Sequence, residues 1–321
     1  MPNRQGVWSL STVLQAIGDN NWVPLPPRIL AAGGTAQPAD AFSNVIDYWD
    51  MATLGNAADF GDLAAANSNH AALSSTLRCV FGGGDEPSKT NRIQFVNFAS
   101  LGNTTDFGNL TTATTQVGGL SSATRGLFFG GRDSDETNRI EFITIATEGN
   151  ATDFGDMSAA KDNVSGCASS TRGLMMGGYD TNNNAVNVID YVTIASAGNA
   201  SDFGDLLSVN HSGAGASNAT RGLQAGGNTG SLTNVIQYVT IASTGNATDF
   251  GDLLNTTEKI RGAASSTQAH FFGGDTTASS GGEVNVIQYV TIASTGNAID
   301  FGDLTSIFDS HAGASNAHGG L

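Results

Sequence analysis

The stretch "NVIDYVTIAS" (187–196) alternates Val188, Asp190, Val192 and Ile194 against Ile189, Tyr191 and Thr193. β-Branched and aromatic residues at period two predict a strand with one half-buried face. Three shorter stretches flank it. "RGLFFGG" (125–131) is an apolar run closed by glycines, "ATDFGDL" follows a Gly-Asn turn, and "VGGLSSAT" (117–124) is built of small residues. Each reads as a strand bounded by turn residues. In chain order the unit is therefore a ("GGLSS"), b ("RGLFFGG"), c ("NVIDYVTIAS") and d ("ATDFGDL").

The unit recurs. Its Phe falls at 60, 107, 154, 203, 250 and 301, and Asn-X-Ile begins 16 residues earlier each time, at Asn44, Asn91, Asn138, Asn187, Asn234 and Asn285. A glycine pair closes strand b in every copy, from Gly33-Gly34 to Gly273-Gly274. Four short antiparallel strands per unit of this length predict a propeller blade. The expected fold is all-β: a six-bladed β-propeller of four-stranded antiparallel blades over residues 28–321. Strand a, nearly all Gly, Ala and Ser, belongs at the crowded axis. The repeats start on strand b and finish on strand a, so the first b, c and d strands and the last a strand should complete one blade and leave no broken edge.

These elements resemble a kelch-type repeat: an a–b hairpin carrying Arg125, Arg172 and Arg221, the double glycine, and Asn-X-Ile with Tyr48, Tyr191, Tyr238 or Tyr289 in strand c. Kelch repeats carry a Trp near strand d, where this chain has Phe. The wording of the repeats, and the opening "RQGVWSLSTVLQAIGDNNW", is similar to virion proteins of tailed bacteriophages. That resemblance implies localisation on the virion, a structural or attachment role on capsid, tail or fibre, and partners among other virion proteins or host-surface glycans.

Composition narrows the chemistry. The net charge of −16 opposes binding to nucleic acid. Eleven of the 29 acidic residues sit in the repeated nonapeptide, so the charge follows the repeat. No apolar run is long enough to insert in a membrane, and the N-terminus makes a poor signal peptide. The two cysteines, Cys79 and Cys167, suggest no disulfide framework. The paired carboxylates of the nonapeptide invite Ca²⁺, but each copy offers few ligands and Asn109 replaces one of them. Turn chemistry, with Asp or Thr oxygens accepting nearby N–H groups, is the favoured reading. The Arg series (Arg78, Arg125, Arg172, Arg221) suggests an anion near the axis or, more simply, a pair with a neighbouring blade's Asp. Gln268 and Gly319 interrupt it. The five histidines share no metal spacing, and no catalytic set, phosphate loop or cofactor motif emerges. The expectation is a non-enzymatic protein without cofactor or metal.

Individuality is confined to one face. The a–b and c–d loops are nearly constant, whereas the b–c and d–a loops vary freely. Binding candidates on the variable face are Arg132, Asp133, Asp135, Tyr179, Asp180, Asn182 and Asn183, a set suited to glycan contacts. A free lectin-like glycan- or protein-binding module is the alternative function. Residues 1–27 form a separate anchor segment. Leu10, Val13, Leu14 and Ile17 follow helical spacing, Trp8 and Trp22 add apolar area, and three prolines lead into the first blade. So short a helix must dock: on its own propeller, on another virion protein, or on a second copy.

Overall fold

The computed structural model describes residues 25–37, 41–277 and 281–321. The anchor candidates Trp8, Leu10, Val13, Leu14, Ile17 and Trp22 lie outside them. The described chain is a six-bladed β-propeller. Blade 2 shows the pattern, with strand a Ala71–Ser74, b Arg78–Gly82, c Arg92–Asn97 and d Thr105–Asn109, all antiparallel. Blade 1 combines a C-terminal strand a, Ala312–Ser315, with Arg28–Ala32, Ala41–Asp50 and Ala58–Asn67. In the other blades, a residue of the a–b hairpin exchanges hydrogen bonds with the arginine position, as Ser122 does with Arg125. At the seam Asn316 and Arg28 make the same exchange with no covalent link, the Arg28 N–H donating to Asn316 Oδ1 at 2.7 Å.

The residues that recur in every copy are the joints between blades. The nonapeptide Asn accepts, on its side-chain oxygen, the backbone N–H of the position after Phe-Gly in the preceding blade: Asn103 from Asp62, Asn150 from Asn109, and around the ring to Asn56 from Asp303. The glycine before that Asn donates to the preceding blade's Phe carbonyl, as Gly102 does to Phe60 and Gly55 to Phe301. The glycine pair receives the next blade's d–a loop, Gly84 N–H donating to Thr114 O and Gly131 N–H to Lys161 O. The expectation that Asp oxygens build this corner is thus corrected. The Asn does so, while Asp59, Asp106 and their equivalents are exposed. The Asn side chains are exposed as well, but their amide oxygens reach the neighbouring strand's N–H.

The same joint explains the glycine of Phe-Gly-Asp. Gly251 has φ +150°, and a Cβ there would run into the Gly296 carbonyl of the next blade. Gly251→Ala is expected to lose about 3 kcal/mol from strain plus overlap. Gly296→Ala, with open space around it, should lose less. Equilibrium denaturation of the two variants checks the ordering.

The arginine series is corrected too. Arg28, not Gly319, stands at the seam, and the partner shared across blades is a carbonyl rather than an Asp, although Arg28 also pairs with Asp50 of its own blade at 3.1 Å and Arg78 with Glu148 of the next blade at 3.5 Å. Arg28, Arg78, Arg125, Arg172 and Arg221 each lie over an aromatic ring of their own strand c, 4.3–4.7 Å from its centroid. Each also donates to a main-chain carbonyl of the next blade, from Phe98 to Ile292. A carbonyl at the end of strand c is fixed by the backbone, so a stacked guanidinium reaches it in every blade whatever side chains the loops carry. Blade 6 has Gln268 instead. There His270 stacks on Tyr289, and the indole N–H of Trp49 in blade 1 donates to His270 Nδ1 at 3.3 Å.

Candidate functional site: the variable face and the axial channel

At the variable face the d–a loop entering each blade pairs with that blade's b–c loop. The antiparallel bridges are Ser68 with Asp85, Thr115 with Arg132, Lys161 with Asp180, His211 with Asn228, and Glu258 with Asp275. The loops that differ most in sequence are therefore rigidly seated.

The seven binding candidates sit on the b–c loops of blades 3 and 4, and the structure brings the two groups together. Arg132 is ion-paired with Glu136 and, at 3.3 Å, with Asp162, and it reaches Asn183 Oδ1 of the next blade at 3.4 Å. Asp133 accepts from the Ser134 N–H, which chiefly holds its carboxyl below the usual range, and from Arg139 at 2.9 Å. Its carbonyl receives Lys89 Nζ from blade 2. Asp135 is exposed. Asp180 closes its own loop on the N–H groups of Asn182 and Asn184, both at 2.8 Å, and the Asn184 bond first holds its carboxyl low. Asn183 takes φ +55° at the apex. Tyr179 is turned away from this group. Its ring stacks on His211 at 3.8 Å, which covers one of its faces.

Inside the loops lies a feature that the loop comparison misses. Asn69, Gln116, Asn163, Ser212, Lys259 and Ser310 are equivalent by repeat, and all have φ between +51° and +57°. Each donates its N–H to the carbonyl of its counterpart in the preceding blade, Gln116 to Asn69 at 2.9 Å and on around to Asn69 to Ser310 at 2.8 Å. Six main-chain hydrogen bonds thus close a ring around the channel mouth. The signal was available in the sequence: a polar residue always stands two places before strand a.

Behind the ring runs the axial channel, in two chambers of about 90 and 60 Å³. Both are lined by the second residue of each strand a: Ala72, Gly119, Gly166, Gly215, Gly262 and Gly313. Serines stitch the inner chamber. Ser74 donates to Ser315 O, Ser121 to Ser74 O, and Ser217 to Ala168 O. The C-terminal tail lies against its far end. His318 Nε2 sits 3.2 Å from both Ser74 O and Ser121 Oγ, its Nδ1 accepts the Gly320 N–H, and the Gly319 N–H donates to Ser217 O.

The expectation of small, repetitive residues at the axis fails most sharply in blade 6. The first residue of strand a is Ala71, Gly118, Ser165, Ala214 and Ala312 in five blades, but Arg261 in blade 6. It lines the outer chamber, and the only protein hydrogen bond of its side chain among the described residues runs from one terminal nitrogen to Ile260 O at 3.0 Å. Burial lowers its pKa to about 10, with Asp309 acting in the other direction.

Among the described residues, carboxylates do gather once outside the nonapeptide. Asp275, Glu283 and Asp309 have oxygens within 4.8 Å of one another. Lys259 Nζ already sits 3.0 Å from Asp309, and Asp275 accepts the Thr277 N–H at 2.8 Å. The lysine supplies the counter-charge that a cation would bring.

No family model matches the chain, and neither does any curated protein.

Proposed function

We propose that the chain is a non-enzymatic structural or surface protein of a bacteriophage particle, a capsid decoration or a tail or fibre component. It attaches by its near-constant face and displays the variable one to other virion proteins or host glycans. The placement on a particle draws on the resemblance of its repeats and opening segment to virion proteins. The observation that carries the attachment is a set of exposed leucines on the near-constant face.

Leu54, Leu77 and Leu101 are 69%, 65% and 59% exposed, and Leu25 is 40% exposed. Elsewhere the place of Leu77 holds Thr124, Thr171, Thr220 or Thr267. The place of Leu54 and Leu101 holds Glu148, Ala197, Thr244 or Thr295. The leucines lie on adjoining turns of blades 1 and 2. Pro27 O accepts the Met51 N–H, Arg28 donates to Phe98 O, and the Phe98 N–H donates to Leu77 O. The chain passes into blade 1 at this same edge. Isolated exposed leucines need no explanation, but three on turns of two neighbouring blades, where the other copies hold Thr, Ala or Glu, favour this side of the ring as the contact surface. Each leucine buried there is worth roughly 2 kcal/mol.

Co-sedimentation with particles made without the protein tests the reading. Wild-type protein should be taken up. The triple variant Leu54→Thr, Leu77→Thr, Leu101→Thr, built from residues the other blades use, should fold normally and lose uptake by about tenfold or more. Deletion of residues 1–24 measures the share carried by that segment. No uptake of the wild type would remove the particle reading, and glycan-array binding would then decide the lectin alternative.

A further inference from the structure

We propose that the mouth of the axial channel is a binding site for a small oxyanion, such as phosphate, sulfate or a carboxylate, held on the guanidinium of Arg261. In a chain of net charge −16, this cation is enclosed at the axis with no carboxylate within ion-pair distance among the described residues. Lys161, which is buried, is by contrast ion-paired with Asp190 at 2.8 Å. The acid nearest in effect to Arg261 is Asp309, which Lys259 already engages. A guanidinium with most of its donors unused is built for a planar or tetrahedral oxygen acceptor.

The surroundings suit such a ligand. The outer chamber, about 90 Å³, admits an ion of a few heavy atoms and excludes a nucleotide or sugar. Gln116 lines it on another blade, and its side-chain amide makes no hydrogen bond to the described protein, so it can add a neutral donor. His70 also lines the chamber, and burial holds its pKa at about 3, so it brings no second charge at neutral pH. The far chamber is lined at its end by His318 of the tail. An enclosed charge without a partner is destabilising, and an anion that enters removes that penalty.

This site is independent of the attachment reading, because it concerns the free propeller. Isothermal titration and thermal unfolding at constant ionic strength in chloride would use sodium phosphate, sulfate and acetate as probes. Wild type should show saturable binding at one site per chain, and a melting temperature that rises with anion concentration. Arg261→Ala, which restores the residue found at 71, 214 and 312, should fold and weaken binding by about tenfold or more. Phosphate or sulfate binding without acetate assigns a tetrahedral ligand. Comparable acetate binding assigns a carboxylate, as on a partner's acidic side chain. Absence of saturable binding, or equal binding by Arg261→Ala, overturns the site.

Discussion

Lowering the pH from 7 to 4.5 is expected to unfold this protein, and histidines are expected to drive the transition. All five are buried or nearly so, and all are shifted down by burial first. His70 and His270 fall to about 3, His211 and His318 to about 4, and His311 well below its ordinary value. Arg261 adds to the effect at His70 and His311. A base whose folded pKa is depressed takes up its proton in the unfolded chain first. The folded state therefore has its full advantage above about pH 6.5 and loses it as pH falls toward the folded values.

The hydrogen bonds agree with neutral rings. His270 Nδ1 accepts from Trp49, and His318 Nδ1 accepts from Gly320, so a proton there would break both. Among the described residues His70 has no hydrogen-bond partner on either nitrogen, and the backbone of Phe272 is the one polar group that bears on His311 as a partner. At pH 4.5 each deeply buried ring forfeits about 2 kcal/mol, and four of them together on the order of 8 kcal/mol, comparable to the stability of a whole domain. Asp47, Glu86 and Asp162, whose carboxyls burial pushes up, offset part of this. His70→Val with His311→Val, copying Val117 and Val164, should move the acid midpoint down by several tenths of a unit or more. An unchanged midpoint in that double variant would show that the carboxylates control acid unfolding instead.

Removal of residues 312–321 should abolish the folded ring. The segment supplies strand a of blade 1, paired from Ile29↔Ser315 to Ala32↔Ala312, and the tail that crosses the channel. Several ladder hydrogen bonds at about 1 kcal/mol each, plus the exposed inner edge of blade 1, exceed what a domain can spare. Circular dichroism and thermal melts should show no cooperative transition. A rearranged chain that joins 312–316 directly to Arg28 through an "NAT"-like turn should fold, since Asn316 and Arg28 already form that hairpin's hydrogen bonds. A cooperative, wild-type-like melt of the truncated protein would mean that blade 1 stands on three strands.

The architecture was legible because each copy repeats the same period-two pattern and the same glycines. Six noisy readings of one unit are worth more than one, and strand order followed from which strand is small. What the sequence concealed were partners that lie a blade away. Asn56 and Asp303, or Arg28 and Phe98, meet only when the ring closes, so local turn rules credited the wrong side chain. Arg261 was hidden differently. It stands one residue before the small-residue run "GAASS", and only aligning "KIRGAASS" with "QVGGLSS" shows that it falls on an axial position. The variable-face candidates were found by elimination. The structure gathers six of them on one rim but turns Tyr179 away toward His211, a contact between loops of neighbouring blades.

Near-identical blades pose a problem of addressing during folding. Any strand a could dock on any strand b with almost the same geometry, and the correct closing pair is separated by 288 residues, a contact that is entropically late to form. The seam answers with features that no other junction has among the described residues: the Trp49–His270 hydrogen bond, and Phe272 packed against both Trp49 and His311. These departures from the repeat act as a checksum. They make one closure distinguishable from five near-equal misregistrations, and variants that restore the consensus at the seam should gain monotony and lose fidelity, appearing as ring-swapped oligomers.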